Sequence, residues 1–410
     1  MNRDRIAILG GGMLGVCTAL ELARRGRRVT LIEGAADVLQ GASRWSEGKI
    51  HLGFLYAGDP TLGTAKRLIP GGLAFAGLVS RILGRGLQEF ATAEDEIFLV
   101  HRESVVDAAA FEAYAQRTAS LVREAASRAG TLPYLTDASR TSIRLLSASE
   151  LSEVTCSDEV IAGYRVPERS ISTVAIANLM QQTVLDEPLV DIHTDTWVTG
   201  VRRRSDGRLE LVTAAEHRAL VHDGPFDVVI NALWEGRPAV DATLGIHPPG
   251  PWSHRFRAAV FARGSGAGPL SAVLCTGPFG DVKRYADGRL YLSWYASGLL
   301  AQGDNIEPPR ESAILTSARR DDILKRTLES LAKFFPAVRR LNEYTDEIGV
   351  NGGWVYAVGQ GSLADGASTL HRRDRFNMTI DRGYISVDTA KYSIAPWLAV
   401  RIAEIVAPAS

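Results

Sequence analysis

The chain opens with RIAILGGGMLGVCTALELARRGRRVTLIE, and no other stretch limits its fold as tightly. Arg5 to Leu9 is a short, branched, apolar run of the kind buried in a parallel sheet. Gly10, Gly12 and Gly15 follow in G-x-G-x-x-G spacing, and the residues after them keep a helical period up to Gly26. A second apolar strand then ends on Glu33. Strand, glycine turn, helix, strand and acid within about 30 residues form the context that a dinucleotide-binding unit requires. Gly10 permits the tight turn, Gly12 lets the backbone approach a pyrophosphate, and Gly15 lets the helix pack closely on the strand. Met13 and Leu14, within the turn, are further candidates for cofactor contact, and the N-terminus of the following helix stabilises the phosphate charge. Glu33 is expected to accept hydrogen bonds from a ribose hydroxyl. An acid there disfavours a 2′-phosphate, so NAD and FAD remain as candidates and NADP fits worst.

A chain of 410 residues is too long for one simple core and predicts two lobes, or one domain interrupted by another. With 46% hydrophobic and 23% charged residues the composition is that of a soluble globular protein. The net charge of −1 gives no sign of a nucleic-acid or anionic-membrane partner. Three cysteines (Cys17, Cys156 and Cys275) with no C-x-x-C spacing argue against both a disulfide framework and a zinc site, so no metal is expected. Cys17, inside an apolar helix, reads as a small core residue. The first residues run straight into a strand, and no apolar run reaches the roughly 20 residues of a membrane helix. The expectation is a cytoplasmic protein with a small-molecule substrate and no membrane span.

The segment GASRWSEGKIHLGFLYAGDP separates the two remaining nucleotides. Gly41, Ala42, Ser43, Ser46 and Gly48 form a loop of small and hydroxyl residues, able to lie against a bulky planar cofactor with backbone donors facing it. The segment resembles the glycine-oxidase/D-amino-acid-oxidase class of FAD-dependent oxidoreductases, in which a G-A-S-x-x-x-x-G stretch runs along the flavin. Its latter part is similar to NSGVIHxGxxY…P in the branch containing L-2-hydroxyglutarate dehydrogenases and glycerol-3-phosphate oxidases, with Gly48, Ile50, His51, Gly53, Tyr56 and Pro60 carrying the match. By that resemblance the flavin contacts include Ser43, Arg44, Ser46, Gly48, Lys49 and Ile50. TDTWVTGVRR resembles the strand that clasps the adenine near Val198. FDVVINALWEGR resembles a later strand of the same domain, with Asn231 and Ala232 matching and Trp234 standing where glycine is usual. DRGYISVDTAKYSIAPWLAVRIAEIV resembles the closing segment and brings Lys391 and Tyr392 to the flavin ring.

The resemblance implies FAD and an α/β fold: a Rossmann-like FAD-binding domain of the GR2 type with an inserted mixed β-sheet substrate domain. Residues 1–85, 155–240 and 350–410 are expected to form the discontinuous FAD-binding domain, and 86–154 and 241–349 the substrate and helical part. The pattern of the remaining chain agrees in outline. Residues 60–130 carry mostly helical spacing, and 190–232 return to strands. HRFRAAVFAR, LSAVLCTG and GRLYLSWYAS alternate as strands, with ADG as a hairpin turn before the last. Residues 311–341 are helical, with an interruption near Pro336. GSGAG (264–268) and GQG (359–361) lack a preceding strand and a following helix. No second dinucleotide site is expected, which disfavours reduction of the flavin by NAD(P)H.

His51 is the first candidate for catalysis. Its ordinary pKa of about 6.5 suits a base near neutrality. The resemblance places the matched histidine at the flavin as a base, a contact or a covalent attachment point, and a histidine satisfied in the core is the alternative. Arg255 and Arg257 alternate on one strand face and can bind a substrate carboxylate, unless that face is solvated. Tyr295 is a candidate roof for the substrate pocket. Lys391 is placed to stabilise negative charge at flavin N1–C2=O. His371, Arg372, Arg373 and Arg375 read as a solvated basic loop. The expected reaction is oxidation of a CH–OH or CH–NH bond of a small polar substrate, with hydride passing to flavin N5. A biosynthetic tailoring enzyme is one such setting, and the electron acceptor (O2, quinone or a partner protein) stays open. The rivals are an NAD-dependent dehydrogenase and a non-catalytic flavin-bound subunit of an oxidoreductase complex.

Overall fold

The computed structural model describes residues 5–128, 134–214, 224–264 and 268–408. The central three residues of GSGAG lie outside them.

The first strand, Ile6–Leu9, has every residue buried, and it is flanked on both sides by parallel neighbours. That accounts for its unbroken apolar sequence, since a strand covered on both faces has no polar side to present. The helix Met13–Arg24 starts on Gly12 and stops at Arg25, with Gly26 in the left-handed region at φ 71°. The chain returns as Val29–Ile32, paired Ile6 to Val29 and Leu9 to Ile32. Val190–His193 extends the sheet on that side. Val228–Asn231 and Tyr384–Val387 extend it on the other, and Met378–Asp381 adds an antiparallel edge. Six strands in all come together from four distant parts of the chain. Met13–Arg24 packs between the terminal helix Ala395–Val406 and the helix Thr173–Leu185. Cys17 is fully buried there, its thiol pushed upward by that burial, as its reading as a core residue requires.

A second, nine-stranded sheet is built mainly from the middle of the chain. The long strands Trp252–Arg263 and Glu347–Val358 pair antiparallel along their whole length. Gly280–Arg284 and Arg289–Trp294 form the expected hairpin, and the helix Ser317–Leu331 packs over the sheet. Glu96–His101 joins Ala272–Cys275 in parallel and Val160–Val166 antiparallel. Residues 60–130 are mostly helical as expected, in the helices Gly63–Leu83 and Ala108–Arg128, with the strand Glu96–His101 between them. One sequence expectation changes here. Val160–Val166 and most of Glu347–Val358, placed by sequence with the nucleotide-binding segments, pair within the larger sheet instead. Sheet membership depends on long-range register, which local apolar patterning does not carry. Among the described residues, no helix is long and apolar enough to cross a membrane.

Candidate active site

A cavity of about 750 Å³ runs from the glycine turn after the first strand to the face of the larger sheet. Its nucleotide end is shaped by close backbone approach. A Cβ on Gly15 would lie 1.9 Å from the Gly10 carbonyl oxygen, so only glycine lets the helix start this near the strand. The Met13 amide at the helix N-terminus donates to Ser43 Oγ at 2.9 Å. Glu33 accepts the Gly11 amide at 2.6 Å and the Ala35 amide at 2.8 Å, which leaves further lone pairs toward the cavity. Burial holds its carboxyl above the usual range, against these amide bonds. Trp197 packs against Gly34, and Val198 lines the wall beside it. Residues 307–311 reach across from the inserted part of the chain, with the Arg310 guanidinium 5.0 Å above the Trp197 ring. Glu235 and Glu311 line the same end. Burial raises both, to about 8 and about 7, and the carboxylates around them add to the rise.

At the opposite end, the two-residue strand Lys49–Ile50 pairs with Arg169–Ser170. Gly48, at φ 63°, passes so close to Ile171 that a Cβ would lie 1.8 Å from its carbonyl oxygen. Lys49 projects into a buried ionic cluster under the cavity. Glu96 accepts from Lys49 and Ser170, and from Lys283 at 2.7 Å. Glu168 stands 3.9 Å from Lys49, and Asp281 3.5 Å from Lys283. Burial works against ionisation of Glu96, yet Lys283 and Lys49 hold it down to about 2. Burial dominates at Glu168 and Asp281, which rise to about 7 and about 6.

His51 lines the cavity at 2% exposure, its Nε2 3.9 Å from a Glu47 carboxylate oxygen and its Nδ1 buried without a partner. Burial, then the positive charges of Lys391, Lys49, Lys283 and Arg373, hold it well below the ordinary histidine value. The imidazole is therefore neutral at physiological pH, more firmly than its ordinary pKa implied. Tyr56 packs beside it, with ring centroids 5.4 Å apart. Arg255 donates to the Tyr295 hydroxyl at 3.4 Å, and the Arg257 guanidinium lies 4.0 Å over the Tyr295 ring. Lys391 and Tyr392 complete the wall.

Of the residues singled out from sequence, Gly10, Gly12, Met13, Leu14, Glu33, Ser43, Ser46, Gly48, Lys49, His51, Val198, Ala232, Arg255, Arg257, Tyr295, Lys391 and Tyr392 all line this one cavity. Four stand behind its wall. Gly15 acts through packing, and Ile50 is a fully buried core residue. The Arg44 guanidinium is taken up by the Leu39 carbonyl, Asn178 and Gln181. Asn231 turns its amide to Arg237, Asp241 and Tyr384. Trp234, in place of the usual glycine, adopts φ 58° and donates its indole N–H to the Trp354 carbonyl at 2.8 Å. Sequence reasoning missed Glu235, Asp281 and Arg373, which also line the cavity. Arg373, read as part of a solvated loop, is 8% exposed. The signal available for it was its place in a basic run shortly before the closing segment.

The residues fit FAD. A glycine cradle at a helix N-terminus, an acid at the ribose position and an elongated cavity meet the demands of a dinucleotide. Unpartnered polar atoms of Ser46, His51, Tyr56 and Tyr392 mark the other end. Residues 5–355 match the model of the FAD dependent oxidoreductase family. Glycine oxidase from Geobacillus kaustophilus superposes with a TM-score of 0.64 at 15% identity, over 99% of this chain and 95% of that one. The FAD-bound L-alpha-glycerophosphate oxidase from Mycoplasma pneumoniae gives 0.63 at 15% identity, over 100% and 96%. Iminodiacetate oxidase from Chelativorans sp. BNC1 gives 0.64 at 16% identity, over 98% and 94%. A search of curated proteins returns no match. The family model spans most of the chain, the solved structures share its fold, and the chain belongs to the FAD-dependent oxidoreductase (DAO) family.

Proposed function

We propose that this oxidoreductase removes hydride from a CH–OH or CH–NH carbon of a small polar substrate while His51 takes the proton from the neighbouring O–H or N–H. FAD, when bound, supplies the hydride acceptor at its N5 and carries the electron chemistry. Gly10, Gly12, Glu33 and Val198 would hold its nucleotide half, and Ser46, Gly48, Lys391 and Tyr392 the ring half.

The observation that carries this reading is the state of His51. It is a buried, neutral imidazole with an unpartnered ring nitrogen on the cavity that also holds the dinucleotide cradle. A neutral imidazole has a lone pair free to accept a proton. Once protonated, it faces the Glu47 carboxylate at 3.9 Å, and that charge offsets the surrounding lysines. Burial of the site keeps water from the reacting carbon and strengthens each of these charge interactions. Arg255, Arg257 and Tyr295 orient the substrate's polar end. Lys391 supports negative charge where it develops on the ring. The free cysteines Cys17, Cys156 and Cys275 accord with a reducing compartment, and the cytoplasm is the proposed location.

The test is anaerobic mixing of the yellow protein with a panel of hydroxy acids and amino acids, followed at about 450 nm where oxidised flavin absorbs. Bleaching by a panel member is expected, and His51→Ala should slow it by about 10²–10⁴-fold. A flavin that no panel member bleaches would favour the non-catalytic subunit, and a colourless protein that binds NAD would favour the dehydrogenase.

A further inference from the structure

Three guanidiniums converge on the substrate end of the cavity without a counter-charge. Arg255 and Arg257 come from the strand Trp252–Arg263, and Arg373 from the loop after Thr369–His371. Arg255 is 3% exposed and Arg373 8%. Among the described residues, the neighbouring Arg372 is paired with Asp374 at 2.5 Å, but no carboxylate lies within ion-pair distance of Arg255, Arg257 or Arg373. Their partners are neutral. Arg373 donates to the Leu370 carbonyl at 3.1 Å and the Arg372 carbonyl at 2.8 Å. Arg255 reaches only the Tyr295 hydroxyl, and Arg257 lies over that ring. The Nε of each of the three is buried and unpartnered.

Lys391 is a fourth cation on the same wall. Burial and then Arg373 push it down to about 8, and burial and then Arg255 push Arg373 down to about 10, so these groups feel one another. Of the carboxylates that share the cavity, Asp281 is engaged by Lys283 and Ser293, and the charge of Glu47 is felt by Lys49 and Lys391 without an ion-pair contact to any of the three guanidiniums. Asp388, behind the wall, faces Arg237 at 3.9 Å and offsets only part of the charge on Arg373. Buried charge without a counter-ion is strongly destabilising, so the missing negative charge must come from what the cavity binds. One guanidinium already satisfies a monocarboxylate bidentately, and here two stand fully buried with two more cations flanking them.

We infer that the substrate of this site is a dianion, gripped between Arg255 and Arg373 with Arg257 and Lys391 beside it. The inference rests on the oxidoreductase reading for the identity of the pocket. A dicarboxylate and a phosphomonoester share the required charge.

The test compares succinate, inorganic phosphate and butyrate as probes of the FAD-loaded protein at constant ionic strength. At about pH 7.5 phosphate is mostly dianionic. Binding is read by the shift of the flavin absorption band and by the thermal unfolding midpoint. At least one dianion should bind about tenfold or more tightly than butyrate, a gap of about 1.4 kcal/mol. Preference for phosphate places both charges on one group, and preference for succinate places them on two. Arg373→Met should cut the preference to less than about threefold while Arg373→Lys keeps more of it, as a charge contact requires. Butyrate binding within about twofold of both dianions would overturn the inference, as would an undiminished preference in a folded Arg373→Met protein. If that variant does not fold, the wild-type ratio decides alone. The thermal readout works with or without flavin, so a dianion preference in a protein that oxidises nothing would sink the oxidoreductase reading and leave the anion site standing.

Discussion

Replacing Glu96 with Gln probes how the charge cluster beneath the cavity is held. Glu96 is fully buried and serves two ammonium groups, Lys49 and Lys283, whose side chains are themselves unexposed. Glutamine keeps the shape and the one acceptor oxygen that both lysines share, and turns its amide NH2 to the Ser170 hydroxyl, but it removes the charge. Lys49 then has only Glu168 at 3.9 Å, and Lys283 only Asp281 at 3.5 Å. Both of those carboxyls hold protons more readily than usual, at about 7 and about 6, so they replace the lost charge poorly. Breaking a buried pair by removing one partner costs about 3–5 kcal/mol, and the residual carboxylates favour the lower end, about 3 kcal/mol. An unfolding entropy of about 2.1 cal/mol/K per residue over 410 residues amounts to about 0.9 kcal/mol/K, so the midpoint should fall by about 3–4 °C. Differential scanning calorimetry measures it. Adding Lys283→Met removes one stranded cation, so the double variant should lose less than the two single losses combined. A Glu96→Gln midpoint within about 1 °C of the parent, or losses that simply add, would refute the account.

Four further outcomes follow from the site. Gly15→Ala forces a Cβ against the Gly10 carbonyl, so the purified variant should carry little flavin; a full complement of yellow cofactor would contradict the cradle. Because His51 is held well below its ordinary value, a proton acceptor there stays neutral as pH falls, and kcat/KM should show no acid limb near about 6.5. A limb at that pH that vanishes in His51→Asn would show the imidazole to titrate normally. Lys391 is charged below about 8, so dianion affinity should weaken as pH rises through that value, and a flat profile from neutral to alkaline pH removes Lys391 from the anion site. Burial raises Glu235 from 4.5 to about 8, so wild type loses stability as pH rises from about 4.5 to about 8, a loss that Glu235→Gln lacks. The variant's gain in thermal stability over wild type should be smallest near pH 4.5, grow across that window and level off above about 8, and an equal gain at both ends would show that the gain has another source.

The nucleotide end was legible because it is local. Strand, turn, helix and acid occupy consecutive residues, and their steric demands, such as the absent Cβ of Gly15, are written in residue type. The ring end was legible only by resemblance, and there its errors collect. Arg44 sits inside a matching motif, but its guanidinium is drawn into the helix Thr173–Leu185 by Asn178 and Gln181, residues more than 130 positions away. Arg373 looked like one member of a solvated run because nothing in its neighbourhood says which arginine the fold will bury. Lys49 was expected as a flavin contact, yet its partners Glu96 and Glu168, and the Lys283 that shares Glu96, come from separate parts of the chain and could not be foreseen. Trp234 marked an unusual path, and the left-handed backbone found there is what its glycine-like position required.

The order of the strands in the six-stranded sheet carries a consequence for synthesis. The glycine turn is synthesised well before Tyr384–Val387, which pairs with Val228–Asn231, and before the adjoining wall at Lys391 and Tyr392. Until that downstream segment emerges, the nascent chain holds half a dinucleotide site with an open sheet edge, the kind of surface that chaperones shield. Loading of the cofactor thus waits for that segment, and a chain interrupted before Tyr384 cannot close around the ligand.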